Sequence, residues 1–177
     1  MARGCKLVAL AASSSTFNSF TQEGIQVDRS KLIIPGLGGL YEAGLQLAYP
    51  WIRFFAGLFL MPHGAQKLFG WFGGDINATA GFFSKIGLEP ALPLAYLVGT
   101  VEFFGGLCIA IGLFTRPVAV AATILLLVAA FQVHLGNGFF WNKGGFEYPI
   151  LWAVLMIAIF FRGGGELSVD AKIGKEF

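Results

Sequence analysis

Four apolar stretches, at about residues 47–69, 91–114, 118–135 and 148–161, set the terms on which this chain can fold. A helix crosses a bilayer with about 20 mostly apolar residues, and the first three stretches are near that length with very few interrupting charges. The first holds Arg53, His63 and Lys67, and the second only Glu102. The third is apolar until Gln132 and His134 near its end, and the fourth is bracketed by Glu147 and Arg162. The fourth is short, so it must recruit flanking aromatics such as Phe146 or begin inside a protein-covered vestibule. The expected fold class is all-α, a polytopic membrane four-helix bundle.

Composition points the same way. Charged residues are 12% and hydrophobic ones 56% of the 177 positions, which is about half the charge that covers a soluble domain. A net charge of +2 without a basic patch argues against nucleic acid as a partner. Twenty-five glycines suit helices that approach closely in lipid. Pro93, Pro117 and Pro149 fall in first helical turns, where a missing N–H costs little. Pro62 lies inside the first stretch and should loosen the bond to the Leu58 carbonyl, which predicts a kink beside His63.

The domain organisation follows. Residues 1–46 read as a polar N-terminal tail with an interfacial segment, 47–162 as the four-transmembrane-helix domain, and 163–177 as a cytoplasmic C-terminal tail. The beginning imitates a signal peptide, but its apolar run, 7–12, is shorter than the usual core of about 7–15 residues. Arg3, Lys6, Arg29 and Lys31 precede the first span, Arg116 joins the second to the third, and Arg162, Lys172 and Lys175 follow the fourth. Only Lys85 and Lys143 lie on the opposite side, so the positive-inside rule puts both termini in the cytoplasm. The two cysteines, Cys5 and Cys108, do not form a paired redox motif, and Cys108 reads as a small buried residue.

Ionisable groups within hydrocarbon are costly, so they face a bundle interior and find partners. On a helical projection Arg53, Gly57, Leu60, Gly64 and Lys67 share a stripe, as do Ala95, Gly99, Glu102, Gly106 and Ile109. Gly57, Gly64, Gly99 and Gly106 are therefore the expected small-residue faces. At 1.5 Å per residue, His63 is roughly 9 Å, Lys67 roughly 3 Å and Glu102 roughly 16 Å below the outer ends of their helices. Arg53 alone belongs toward the cytoplasmic side, where its length allows snorkelling. Lys67 with Glu102 or Glu147 can form a neutral pair that only fixes register. The same residues suit a proton or quinone site, since histidine can hydrogen-bond a quinone carbonyl and a buried carboxylate can relay its proton. Two histidines without recurrent spacing do not make a metal or haem site, so no metal is expected.

The run His63-Gly64-Ala65-Gln66-Lys67-Leu68-Phe69-Gly70 is followed by Glu102-Phe103-Phe104-Gly105-Gly106 and Gly112-Leu113-Phe114-Thr115-Arg116-Pro117. Val133-His134-Leu135, Gly144-Gly145-Phe146-Glu147-Tyr148-Pro149 and Gly163-Gly164-Gly165-Glu166-Leu167-Ser168-Val169-Asp170 continue the series. In that order the set resembles the DoxX/DoxD-like membrane protein family. The resemblance implies a compact four-helix integral protein of the bacterial inner membrane with cytoplasmic termini. It also implies relatives such as a subunit of thiosulfate:quinone oxidoreductase and a membrane partner in oxidant-defence assemblies. The tail before residue 46 departs from the short family N-terminus and suits docking to another subunit.

These features converge on a membrane protein associated with oxidoreductase chemistry, relaying electrons or protons between a partner and the quinone pool. His63, Glu102 and His134 are the expected catalytic groups, and Lys67, Gln132 and Glu147 the expected quinone or substrate pocket. The sequence has no fingerprint for flavin, nicotinamide or an iron–sulfur cluster, so no intrinsic cofactor is expected beyond a bound quinone. The alternative is a non-catalytic accessory or assembly subunit of a larger membrane complex. A small-solute transporter is disfavoured, because four helices enclose little volume and no broken-helix repeat is visible.

Overall fold

The computed structural model describes residues 27–176, and all regular structure among them is helical. The order is α1 (Gly38–Phe69), α2 (Ile76–Lys85), α3 (Ala91–Ile111), α4 (Thr115–Asn137), α5 (Glu147–Arg162) and α6 (Val169–Ile173). Among the described residues, two helices, α3 and α4, are long and apolar enough to cross a membrane. Pro93, Pro117 and Pro149 are each the third residue of their helices, where the backbone N–H has no intrahelical acceptor. α1 runs through both Pro50 and Pro62.

The described chain divides into two compact units, one ending at Ala48 and one beginning at Tyr49. In the first, Asp28 caps the single turn Arg29–Lys31 by accepting from the Ser30 N–H at 3.1 Å. Arg29 pairs with Glu42 at 2.6 Å. α1 begins at Gly38, so most of the interfacial segment, expected at Leu37 to Leu47, is helical. Glycines at 38, 39 and 44 lower its helix propensity, while Pro35 in the preceding turn presets the backbone.

In the second unit the helices meet through small residues. A Cβ on Gly57 would strike the Gly106 carbonyl and the Ala110 backbone, and one on Gly64 would strike the Gly99 carbonyl and the Phe103 N–H. Gly57 thus faces Gly106 and Gly64 faces Gly99, so α1 and α3 run antiparallel with backbones in contact. Around that seam the core joins Ala56 and Leu60 of α1, Ile109 of α3, Ala119, Ala122 and Leu126 of α4, and Ala153, Met156 and Ile159 of α5. The Trp152 indole N–H donates to the Ala56 carbonyl at 3.2 Å, tying α5 to α1. Outward faces keep large apolar side chains, with Ile124 59% and Phe161 72% exposed. So much outward apolar surface is what a lipid-facing helix carries.

The turn between α3 and α4 organises one end of this unit. Gly112 (φ 72°) ends α3. The Leu113 N–H donates to the Cys108 carbonyl and the Gly112 N–H to that of Ile109, which is a Schellman closure. Arg53 differs from its expected position. It does not snorkel but is 2% exposed, and donates to the carbonyls of Ile109 (2.8 Å), Ala110 (3.1 Å) and Leu167 (2.8 Å). The carbonyls ending α3 are unpaired within the helix, and a cation is drawn to that negative end. Its Nε is buried without a partner.

Residues 163–176 dock on the same turn. The Asp170 carboxylate accepts from the Phe114 N–H (2.9 Å), the Thr115 N–H (3.0 Å) and the Thr115 hydroxyl (2.7 Å). It satisfies donors that begin α4 and holds Phe114 at φ 48°, a left-handed conformation unusual for a bulky side chain. The Asp170 N–H returns a bond to the Gly112 carbonyl at 2.9 Å, and the Tyr49 hydroxyl donates to the Gly163 carbonyl. Replacing Asp170 with Ala removes the acceptor of two buried Thr115 donors and should lower stability by about 2–3 kcal/mol or more, read as a fall in melting temperature in detergent. An unchanged melting temperature would remove this segment from the folded core. Gly64→Leu should lower stability by about 1–3 kcal/mol through overpacking, whereas full tolerance would show that α1 and α3 separate freely.

Candidate functional site

Away from that turn, α3 leaves regular helical geometry. Val101–Gly105 forms a π-turn between the α-helical segments Ala91–Thr100 and Gly106–Ile111. The extra residue in such a turn re-aims side chains, and π-turns are frequent at functional sites. Glu102 sits in this one, 7% exposed. Its Oε2 accepts from Lys67 Nζ on α1 at 2.7 Å, and the same ammonium donates to the His63 carbonyl at 3.2 Å. The two side chains are 18% and 10% exposed, so a nearly desolvated ion pair joins α1 to α3. In such surroundings an unpaired charge is far more costly than a paired one.

The seam explains how the pair closes. Gly64 lies three residues before Lys67, and Gly99 three before Glu102. Their mutual contact brings the two backbones close enough for the side chains to meet. An aromatic cluster borders the pair: Phe103 lies edge-on to Phe69 at 4.9 Å and to Trp71 at 6.4 Å between ring centroids. The His63 ring is on the exposed side of α1, one turn before Lys67.

Gln132 and His134 occupy a second π-turn, Ala129–His134, at the end of α4. Gln132 is exposed and His134 partly buried. His134 Nδ1 is 2.6 Å from the Gly144 carbonyl, which also accepts from Asn137 Nδ2 at 3.1 Å. A carbonyl only accepts, so Nδ1 carries the proton. Glu147 accepts from the Trp141 N–H at 3.1 Å, and Trp141 stacks flat on Tyr148 at 5.3 Å. His134 and Glu147 thus brace the loop between α4 and α5, while Lys67 and Glu102 form a direct pair. Among the described residues no group of three or more His, Cys, Asp or Glu side chains is arranged to hold a metal ion.

Sequence reasoning missed two elements. One is α2, capped by Asp75, whose side chain accepts from the Asn77 N–H at 2.9 Å; an Asp two residues before that N–H is a start signal visible in the sequence. Glu89 follows it, accepting from the Ser84 hydroxyl at 2.6 Å and the Ala91 N–H at 2.8 Å. These bonds, that from Ser84 foremost, hold the Glu89 carboxyl below the usual carboxylate range. The other is Asp170, which the sequence shows only as an acidic residue behind Gly163-Gly164-Gly165; its partners are more than 50 residues away.

The DoxX family model matches residues 50–135. Two Haemophilus influenzae proteins, each named "Uncharacterized protein", are 31% identical over 87 residues and 32% identical over 66 residues. The matches cover 48% and 37% of this chain, and 65% and 44% of those relatives, so the chain spans less than two thirds of either. The Bacillus subtilis protein named "Putative oxidoreductase CatD" is 32% identical over 124 residues, 70% of this chain and 85% of its own length. No solved structure matches. Matched by the family model and by a relative along most of that relative's length, and carrying two helices fit to cross a membrane, the chain belongs to the DoxX family.

Proposed function

We propose that this DoxX-family chain is a bacterial inner-membrane protein with four spans, α1, α3, α4 and α5, and both termini in the cytoplasm. Its role is to relay protons or electrons between a partner protein and the quinone pool. Aromatic residues support the spanning arrangement. Trp51 and Phe69 are 18 residues apart on α1, about 27 Å of helix and close to the thickness of a hydrocarbon core, and Trp71 follows in the next turn. α5 is shorter, with 16 residues, and Trp141 and Tyr148 extend its interfacial anchorage. The name of the Bacillus subtilis relative supports the oxidoreductase association.

The observation that carries the functional reading is the desolvated Lys67–Glu102 pair on a π-turn. One proton moved from the ammonium to the carboxylate turns the ion pair into a neutral pair, so Glu102 can present a proton; giving it up leaves the pair one negative charge, which reprotonation removes. Quinone reduction consumes two electrons and two protons. In this reading a partner supplies the two electrons, and the Glu102 carboxyl passes the two protons to the quinone oxygens in turn, being reprotonated between them. His63, one turn away, is a candidate route for reprotonation, and His134, Gln132 and Glu147 shape the outer mouth. A second reading, an accessory subunit of a larger complex, is favoured by the completeness of the Lys67–Glu102 pairing, which serves register as well as it serves chemistry.

Glu102→Gln separates the two. As a proton site, the variant inserts and folds but loses quinone reduction by membranes. As a structural pair only, it leaves a cation unpaired and falls by about 3–5 kcal/mol, with Lys67→Met in the same chain restoring stability. A stable and fully active Glu102→Gln protein would eliminate both. The topology is checked by cysteine labelling: probes at Gly74 and Asn137 should react from outside the cell, and a reporter after Phe177 should be cytoplasmic. Labelling of either loop from the cytoplasm would reverse the orientation.

A further inference from the structure

An open groove between α4 and α5 takes no part in the Lys67–Glu102 site. It measures about 260 Å³ and is lined by Val120, Thr123, Ile124, Ile157, Phe160 and Phe161. The Thr123 hydroxyl donates to the Ala119 carbonyl of its own helix at 2.7 Å, so its proton is not offered to the groove. A cation is bonded to the backbone of two of the residues that line this apolar trough. Arg116 lies one turn before Val120 on the same stripe of α4, and its Nη1 donates to the carbonyls of Phe160 (3.2 Å) and Phe161 (3.4 Å).

The other edge of that guanidinium holds an anion already. Nε and Nη2 share one Glu176 carboxylate oxygen at 3.3 and 2.8 Å. Both side chains are partly exposed, 33% for Arg116 and 42% for Glu176, and ion pairs in such positions are weak and exchangeable. The fork that accepts a carboxylate accepts a phosphate equally well. Lys175, the neighbour of Glu176 in sequence, adds positive charge to the same segment.

We propose that this groove binds an anionic glycerophospholipid, with an acyl chain along α4 and α5 and its phosphate on Arg116 in place of Glu176. The chemistry selects the ligand: the trough needs a long apolar chain, and the guanidinium needs a phosphate. Net negative headgroup charge is preferred because a zwitterionic headgroup brings its own cation beside the guanidinium. The proposal rests on the membrane reading of α4 and α5 but not on the quinone reading.

The test titrates the detergent-purified full chain with phosphatidylglycerol and with phosphatidylcholine of the same acyl chains, read by native mass spectrometry. The expected result is one retained phosphatidylglycerol per chain, favoured about five-fold over phosphatidylcholine. Glu176→Gln should raise that preference further, and Ile124→Trp should reduce retention of both lipids by filling the groove. Arg116→Gln should abolish discrimination. Because Arg116 also holds the end of α5, the exposed Glu176 and Ile124 variants carry the test without it. Equal retention of the two lipids, or a Glu176→Gln chain with unchanged preference, overturns the proposal. So does displacement of phosphatidylglycerol by equimolar inorganic phosphate, or a lipid-free dimer cross-linked through Ile124→Cys. Failure of the chain to float with liposomes would instead sink the membrane reading.

Discussion

Arg53 and Asp170 bind opposite ends of one turn, and the rest of the second unit is arranged around that junction. α3 finishes with carbonyls that have no intrahelical donor, and α4 starts with N–H groups that have no intrahelical acceptor. Arg53 meets the first set at Ile109 and Ala110, and Asp170 meets the second at Phe114 and Thr115. Each charge lies against the end of a helix dipole of opposite sign, so both remain buried without contacting each other directly. A Cβ at Gly112 would fall on the Arg53 guanidinium and Ser168, and the Gly112 φ of 72° already favours glycine. The turn, the first long helix and the C-terminal segment are therefore one structural element.

The Lys67–Glu102 pair answers the same physical problem differently. Arg53 and Lys67 are 14 residues apart on α1, about 21 Å of helix, and the intervening positions are dominated by apolar and small side chains. Arg53 is matched with backbone dipoles, which carry no proton to exchange. Lys67 is matched with a carboxylate, which can take up a proton and give it back. That difference makes one buried cation architectural and the other a candidate for chemistry. The π-turn at Glu102 and the second at His134 add local irregularity where the polar groups of α3 and α4 lie, while the core between stays regular.

Much of the architecture was legible because each feature is local. Apolar runs between Gly and Pro marked α3, α4 and α5, and prolines at third positions agreed with their starts. The heptad spacing of Gly57 with Gly64, and of Gly99 with Gly106, is visible on a helical projection. The Lys67–Glu102 partnership was one of two alternatives open to Lys67, the other being Glu147. Only antiparallel contact of the two glycine pairs selects Glu102, since that contact sets the register. Glu147 instead accepts from the Trp141 N–H within its own loop, a bond no periodicity encodes.

By itself the sequence determined the helical class, the apolar stretches, the family resemblance and the small set of ionisable residues that must find partners in an apolar setting. These follow from composition and from a repeat of 3.6 residues, both properties of neighbouring positions. Tertiary structure decided which partner each charge takes. Arg53 goes to the end of α3 instead of the surface, Asp170 reaches Thr115 across 55 positions, and His134 turns to the Gly144 carbonyl. The reason is that a buried charge is stabilised by whatever opposite dipole lies within about 3 Å, and at that range only the packing of backbones determines what is near.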